Sequence, residues 1–224
     1  MFLRMRFKPY ARPELLASGF HEDAPAAQRG KWKHCFAHPE NPIYLELGCG
    51  KGGFLASHAA ANPAINYIGI DITDKVLVLA KRKIAQQFAG VNRSVDNVKL
   101  LSFDIERIAE MLCASDEIAR IYINFCNPWN RKKKHKKHRL THPRQLLQYK
   151  QFLAPQGEIW FKCDDADLFE DSVEYFAEAG YEIVWLTRDL HAQEPAWNVR
   201  TEHEEMFASQ GVPIKALIAK IANV

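Results

Sequence analysis

The sequence lacks the usual features of membrane, secreted and metal-binding proteins. None of its apolar runs approaches the roughly 18 residues that a membrane-spanning helix requires, and Met1 to Arg6 lacks the apolar stretch of a signal peptide. Its five cysteines are odd in number and form no C-x-x-C pair, which argues against a disulfide framework and a cysteine metal site. We therefore expect a cytoplasmic protein without a structural metal.

Positive charge is concentrated in one stretch of the chain. Residues 131–139 contain five Lys, two Arg and two His and no acidic residue, whereas the whole chain has a net charge of only +3. A run of like charge is commonly a solvated surface. Beside a ligand site it indicates a localised anionic partner, and its seven permanent cations could neutralise several phosphates.

The length and hydrophobic content fit one α/β domain with an extension. At 224 residues, 47% of them hydrophobic, the chain can bury a single core. We place a basic, aromatic amino-terminal arm at residues 1–40 and the domain at residues 41–224. The arm is either a segment that packs late or on a ligand, or a disordered tail.

Hydrophobic periodicity predicts strands that alternate with helices beyond the arm. The strands are expected near residues 43–47, 67–72, 97–103, 118–125, 157–163, 181–187 and 213–221. The helices are expected near residues 53–61, 74–89, 105–113, 142–154, 166–179 and 202–210. Such alternation indicates a mostly parallel, doubly wound sheet, in which ligands bind at the carboxyl ends of the strands.

The chain is organised around Ile43–Gly52, a buried strand that runs into a glycine turn. Gly48, Gly50 and Gly52 permit positive φ and close approach to a ligand. The spacing is G-x-G-x-G with Glu46 two residues before the first glycine, not the G-x-G-x-x-G of dinucleotide-binding folds. This form resembles the first motif of class I S-adenosyl-L-methionine (SAM) methyltransferases. The alternative is a glycine turn in an α/β protein that binds no nucleotide.

Acidic residues follow the second and third strands. Asp71 ends the second strand, where an acid is well placed to accept hydrogen bonds from a ribose. Asp104 follows the third strand, where it either holds the adenine amino group of SAM or caps the next helix. Five candidate residues directly follow or end predicted strands: Gly48, Asp71, Asp104, Asn127 and Asp164. Their common position predicts one site at the carboxyl edge of the sheet.

The chemical centre is predicted at Asn127-Pro128-Trp129, directly after the fourth strand and before the basic run. This tripeptide resembles the (D/N)PP(Y/W)-type loop of amino-group methyltransferases, where an amide or acid orients the nucleophile beside the methyl group. Trp129 would supply a stacking face for a base. The alternative is a proline turn with a core tryptophan.

Four motifs together resemble the bacterial tRNA (guanine-N7-)-methyltransferase family. They are Glu46–Gly52, Asn124–Trp129 followed by the basic run, Phe161–Asp164 and Thr201–Glu204. The resemblance implies a single-domain, Rossmann-like class I SAM methyltransferase fold with a final antiparallel strand. It also implies methyl transfer from SAM to N7 of a guanosine in the tRNA variable loop, by a monomer or a homodimer.

The resemblance also implies roles for individual residues. SAM would be bound by Glu46, Gly48, Gly50, Gly52, Asp71, Asp104 and Asn127. The tRNA would be contacted by Arg131, Asp164, Thr201, Glu202, His203 and Glu204. Asn127 would be the catalytic residue. Thr201 and Glu204 also fit a capping box before a helix, which is a separate interpretation of the same residues.

The chain departs from the family in the catalytic loop. The family usually has Asp-Pro-Trp-Pro followed by Lys, whereas this chain has Asn127, Asn130 and Arg131 at the differing positions. Guanine N7 already carries a lone pair and loses no proton on methylation, so the step needs positioning more than a general base. We expect reduced but not absent activity relative to an Asp form. The open alternatives are a noncatalytic RNA-binding relative and a SAM-dependent amino methyltransferase with another substrate.

Overall fold

The structure, a computed structural model, describes residues 8–222. Its strands are β1 (His21–Glu22), β2 (Ile43–Leu47), β3 (Asn66–Asp71), β4 (Val98–Ser102), β5 (Ile118–Asn124), β6 (Leu153–Cys163), β7 (Tyr181–Thr187) and β8 (Lys215–Ile221). Its α-helices are α1 (Ala11–Leu16), α2 (Gly53–Ala61), α3 (Asp74–Gly90), α4 (Pro143–Tyr149), α5 (Ala166–Glu178) and α6 (Glu202–Ala208). Over these residues no helix is both long and apolar enough to cross a bilayer.

The strands form one sheet with the order β1-β4-β3-β2-β5-β6-β8-β7. Neighbouring strands from β1 to β6 are parallel, whereas β8 runs antiparallel to both β6 and β7. Parallel neighbours require long crossover connections, which the helices between them supply. The predicted mostly parallel sheet with a final antiparallel strand is therefore confirmed.

The strand order reverses at the centre of the sheet. From β2 the chain moves outward through β3 to β4, then returns to place β5 on the other side of β2. In open α/β sheets, ligands bind in the crevice at this reversal, outside the carboxyl ends of the strands. The loops after β2, β3, β4 and β5 therefore frame the place where a site is expected.

Helices cover both faces of the sheet, so its central strands are apolar on both sides. On one face, α1, α2 and α3 contribute buried Leu15, Leu55 and Val78. On the other face, α4 and α5 contribute buried Tyr149 and Phe169. Each such side chain stabilises the fold by roughly 1.5–3 kcal/mol relative to an exposed one. The sheet is thus a firm support for the loops at its carboxyl edge.

The described part of the amino-terminal segment packs against the domain. β1 pairs with β4 at the edge of the sheet, and Leu15 of α1 is fully buried. Trp32, in a 3₁₀ segment (Trp32–Cys35), is also fully buried, and its Nε1 donates a hydrogen bond to the Met111 carbonyl at 2.8 Å. Residues 1–7, the first part of the predicted arm, lie outside the described residues.

Three predicted elements differ from the structure. The helix expected over residues 142–154 ends at Tyr149, and β6 begins at Leu153 instead of residue 157. Pro155 explains the early strand, because proline disfavours the helical conformation of the residue before it, here Ala154. The helix expected over residues 105–113 is a 3₁₀ segment, Ile105–Glu110.

Candidate active site

The glycine turn after β2 adopts a backbone conformation that other residues rarely take. Gly48, Gly50 and Gly52 have φ values of +73°, +53° and +70°. A Cβ on Gly52 would lie 2.6 Å from Cβ of Ala80 on α3, so glycine is also needed there for packing. The Gly50 N–H donates a hydrogen bond to Oδ2 of Asp71 at 3.1 Å, which ties the turn to the end of β3.

Glu46 lines a cleft beside this turn, and only 4% of the residue is exposed. Its Oε1 accepts a hydrogen bond from Nδ2 of Asn124 at 3.2 Å. Its buried Oε2 has no hydrogen-bond partner among the described residues. Burial raises the pKa of Glu46 to about 8. A buried acceptor without a donor is costly, so this oxygen points to a ligand that supplies one.

A second cleft follows the ends of β3 and β4. Its lining includes Asp71, Asn127 and Ile72, which is 66% exposed. Asp71 is half-buried, and its Oδ1 accepts a hydrogen bond from the Thr73 N–H at 3.2 Å. Burial raises the pKa of the Asp71 carboxyl. The cleft thus has acceptors at the β3 end and apolar surface beside them.

Asp104 both caps a 3₁₀ segment and lines the second cleft. Its Oδ1 accepts a hydrogen bond from the Glu106 N–H at 3.0 Å, so the capping interpretation is confirmed. Oε1 of Glu106 lies 2.5 Å from Nδ1 of His138, which places this end of the cleft beside the basic run. The capping role leaves Asp104 at the cleft, so the two interpretations are compatible.

The loop after β5 carries Asn127 and Trp129 at the margin of the second cleft. Oδ1 of Asn127 accepts a hydrogen bond from the Trp129 N–H at 3.0 Å, forming an Asx turn that orients the amide. Phe125 and Trp129 have φ values of +51° and +50°, which are uncommon for residues other than glycine. Trp129 is 37% exposed, which excludes the alternative of a core tryptophan.

The basic run is divided between solvent and interior. Its exposed cations are Arg131, Lys132, Lys133, Lys134 and Lys137. Lys136 and the fully buried Arg139 both form ion pairs with Asp171 of α5. Two of the seven cations therefore hold the run against α5, which leaves five exposed cations for phosphates.

The start of α6 lines the first cleft together with the glycine turn. Thr201, Glu202 and His203 line this cleft. The His203 ring stacks on that of Phe125, with 6.1 Å between the ring centroids. Glu202 forms an ion pair with Lys83 of α3. Three of the residues predicted to contact tRNA therefore lie together, next to the turn.

The other predicted tRNA contacts are placed differently. Arg131 lines an apolar hollow together with Trp129. The Asp164 carbonyl accepts a hydrogen bond from Nζ of Lys215 at 2.8 Å, and the residue does not line either cleft. Glu204 is fully buried below the cleft. Its N–H donates to Oγ1 of Thr201 at 3.0 Å, and the capping-box interpretation is confirmed.

Glu204 is the centre of a buried polar network. Its Oε2 accepts a hydrogen bond from Nζ of Lys162 at 2.7 Å, and its Oε1 accepts one from Nδ2 of Asn198 at 2.7 Å. Burial lowers the pKa of the Lys162 ammonium. The carboxylates of Glu204 and Glu194 and the ring of His191 are spaced as metal ligands would be. Since Lys162 already neutralises Glu204, we interpret the cluster as an ion network.

Three side chains that shape the site were missed from the sequence. Asn124 lies within a quoted motif, and its bond to Glu46 follows from the pairing of β2 with β5. Lys162 had a usable signal, because a lysine inside the apolar strand β6 requires a buried partner. No feature of the sequence distinguishes Arg139, because it stands in a run of other basic residues.

Comparison with known proteins identifies relatives over nearly the whole chain. Residues 40–217 match a family model described as "Putative methyltransferase". A Clostridium perfringens protein named tRNA (guanine-N(7)-)-methyltransferase is 57% identical over 218 residues, 97% of this chain and 99% of that protein. A Clostridium beijerinckii protein of the same name is 58% identical over 221 residues, 99% of this chain and 100% of that protein.

Solved structures of other methyltransferases have a similar fold. The antibiotic-resistance methyltransferase Kmr gives a TM-score of 0.55 at 13% identity, covering 82% of this chain and 88% of Kmr. The 16S rRNA methyltransferase KamB gives a TM-score of 0.56 at 12% identity, covering 98% of this chain and 96% of KamB. At these identities the similarity concerns the fold alone.

Proposed function

This chain belongs to the tRNA (guanine-N(7)-)-methyltransferase family, and we propose that it transfers a methyl group from SAM to N7 of a guanosine in the tRNA variable loop. The observation that carries the proposal is the placement of Glu46, the glycine turn, Asp71 and Asn127 around adjoining clefts at the carboxyl ends of β2, β3 and β5. We place the enzyme in the cytoplasm with its substrate.

The first cleft fits the amino-acid end of SAM. The buried Oε2 of Glu46, which lacks a partner among the described residues, is an acceptor for an α-ammonium group. The glycine turn brings backbone without side chains to the same cleft. When bound, SAM supplies a methyl group that its sulfonium makes electrophilic.

The second cleft fits the adenosine end of SAM. We assign the ribose hydroxyls to Asp71, whose carboxylate has acceptor capacity beyond its bonds to Gly50 and Thr73. We assign the adenine amino group to Asp104. The exposed side chain of Ile72 supplies an apolar surface for the adenine ring.

Asn127 orients the guanine in this proposal. N7 attacks through its in-plane lone pair and loses no proton, so no residue has to act as a general base. The Asx turn with Trp129 fixes the amide of Asn127 before the substrate arrives. The partly exposed Trp129 offers a stacking face for the base. The contribution of both residues is to hold N7 in line with the methyl group.

The tRNA backbone is bound by the exposed part of the basic run. Lys132, Lys133 and Lys134 are exposed cations beside the Asn127 loop, suited to several phosphates. We assign further substrate contacts to Arg131 and to Thr201–His203, which line the clefts and the hollow. Glu204 acts indirectly, through the network that fixes the start of α6.

The test is the transfer of labelled methyl from SAM to unmodified bulk tRNA, followed by separation of the nucleosides. We expect label in 7-methylguanosine. A tRNA transcript with 7-deazaguanosine in place of guanosine lacks the reacting nitrogen and is the matched control. Mapping of the labelled nucleotide to the variable loop tests the finer part of the proposal.

Each outcome decides between the candidate functions. Label in 7-methylguanosine that is lost with the 7-deaza transcript supports the proposal. Label in another nucleoside or in protein favours an amino methyltransferase. No label, together with measurable SAM and tRNA binding, favours a noncatalytic RNA-binding relative and contradicts the proposal.

A further inference from the structure

Arg139 belongs to the basic run but does not face solvent. It is fully buried, and its Nε donates a hydrogen bond to the Pro128 carbonyl at 2.7 Å. Its Nη2 donates to Oδ1 of Asn130 at 2.6 Å, and its Nη1 pairs with Asp171. A buried cation is tolerated only when paired and hydrogen-bonded. These partners occupy the guanidinium, so it is not available to a phosphate.

The bonds from Arg139 hold the chain on both sides of Trp129. Trp129 has a φ of +50°, a conformation that persists in a non-glycine residue only when the surroundings enforce it. The Trp129 N–H in turn holds the side-chain oxygen of Asn127. The hydrogen bonds of Arg139 to residues 128 and 130 therefore also fix the position of the Asn127 side chain.

Asn130 connects the same loop to α5 at a second point. Its Nδ2 donates to Oδ2 of Asp165 at 2.6 Å, and Oδ1 of Asp165 accepts a hydrogen bond from the Leu168 N–H in the first turn of α5. Asp171, the partner of Arg139, lies on the same helix. Both contacts of Asn130 are made by its side-chain amide, so they depend on the residue at this position.

We propose that Arg139 and Asn130 are positioning residues for methyl transfer, which together with Asp165 and Asp171 form a loop clamp that fixes Asn127 and Trp129 against α5. The inference rests on the proposed function. It removes Arg139 from the cations that bind tRNA. Its signature is a loss of kcat without a loss of tRNA affinity, since a misplacement of about 1 Å costs up to roughly 100-fold in rate.

The variant Arg139→Lys tests the clamp. It keeps the positive charge beside Asp171 but loses the planar fork that reaches Pro128 and Asn130 together. At saturating SAM and tRNA we expect kcat to fall by about tenfold or more, with Kd for tRNA and its salt dependence unchanged. In the matched control Lys134→Ala, Kd should rise and the slope of log Kd against log salt should fall by about 0.7–0.9.

The opposite combination, a weaker tRNA affinity with an unchanged kcat, contradicts the proposal. If Arg139→Lys weakens tRNA binding and flattens its salt dependence while kcat is retained, Arg139 is a phosphate ligand. Asn130→Ala is a second variant at an exposed position, for which we expect a several-fold lower kcat at unchanged tRNA Kd. The double variant should be no slower than Arg139→Lys alone. Additive losses would show that the two side chains act separately.

Hydrogen exchange separates failure of the clamp from failure of the proposed function. In Arg139→Lys we expect faster amide exchange over residues 125–131 and unchanged exchange over residues 43–52. If the parent protein forms no 7-methylguanosine, the proposed function fails and this measurement still tests the clamp. Unchanged exchange over residues 125–131 contradicts it.

Discussion

Glu46 is the residue whose chemistry depends most on what fills the site. Burial raises its pKa to about 8, so without a ligand the carboxyl is mostly protonated at neutral pH. An ammonium group at its Oε2, which has no hydrogen-bond partner within residues 8–222, favours the ionised form. Ligand binding near neutral pH should therefore release a proton from Glu46.

We predict that affinity for S-adenosylhomocysteine, the unreactive demethylated cofactor, rises with pH. The raised pKa means that binding must expel a proton below about pH 8, so between about pH 6 and 7.5 Kd should fall up to about tenfold per pH unit. Calorimetry in two buffers of different ionisation enthalpy measures both Kd and the proton release. Glu46→Gln should bind more weakly with a flat pH profile. An unchanged profile in that variant would assign the proton to another group.

Asn127 allows a direct test of amide against carboxylate. Guanine gains positive charge as N7 is methylated, and a carboxylate at this position would stabilise that charge more than a neutral amide does. We predict that Asn127→Asp raises kcat by about three- to tenfold and that Asn127→Ala lowers it by more than about tenfold. Single-turnover methylation of tRNA measures both. An unchanged or lower rate in the Asp variant would contradict the prediction.

At the scale of elements, α6 is held in place by a buried ion pair as well as by its cap. Glu204 receives hydrogen bonds from Lys162 on β6 and from the backbone N–H of Thr201. Lys162 is only 8% exposed. Removal of one member of such a pair leaves the other charge buried without compensation. The start of α6, which lines the first cleft, is thereby fixed to the sheet.

We predict that Glu204→Gln lowers the free energy of unfolding by about 3 kcal/mol, because it leaves the Lys162 ammonium buried without its charged partner. The matched control is Glu202→Gln in the same turn, where an exposed ion pair with Lys83 is lost and the change should stay below about 1 kcal/mol. Urea unfolding monitored by circular dichroism measures both. Equal losses in the two variants would mean that the buried pair adds nothing beyond a surface contact.

The elements that carry the cofactor site follow from local sequence. Apolar strands that end at Glu46–Gly48 and Asp71 are visible from periodicity and glycine spacing. The contacts that complete the site are long-range, and periodicity does not reveal them. Lys162 and Glu204 are 42 residues apart, and Arg139 is distinguished from its basic neighbours only by the position of α5. The place of β8 between β6 and β7 likewise depends on strand pairing across the chain.

At the scale of the whole molecule, charge is arranged relative to the edges of the sheet. The exposed lysines of the basic run follow the loop after β5, at the carboxyl edge of the sheet. Other residues of the run contact acidic residues of the domain. Asp171 pairs with Lys136 and Arg139, and Glu106 contacts His138. The outer cations are therefore presented on a braced segment, which reduces the entropy lost when tRNA binds.

We predict that Lys132→Ala/Lys133→Ala/Lys134→Ala reduces the slope of log Kd for tRNA against log salt by about 2 to 3, because each of the three phosphate contacts contributes roughly 0.7–0.9. Filter binding over a range of salt concentrations measures it. Lys33→Ala is the control, since Lys33 pairs with Glu117 at the amino edge of the sheet. A similar change in both variants would indicate a diffuse charge effect instead of local phosphate contacts.

The antiparallel strand β8 has a consequence for how the protein is made. It lies between β6 and β7, and within residues 8–222 β7 has no other strand neighbour. The ribosome synthesises β7 before β8, so the nascent chain carries unpaired strand edges until residues 215–221 emerge. Such edges invite aggregation. A translational pause between residues 187 and 215 would prolong that exposure, and codon choice over this stretch should therefore affect the yield of folded enzyme.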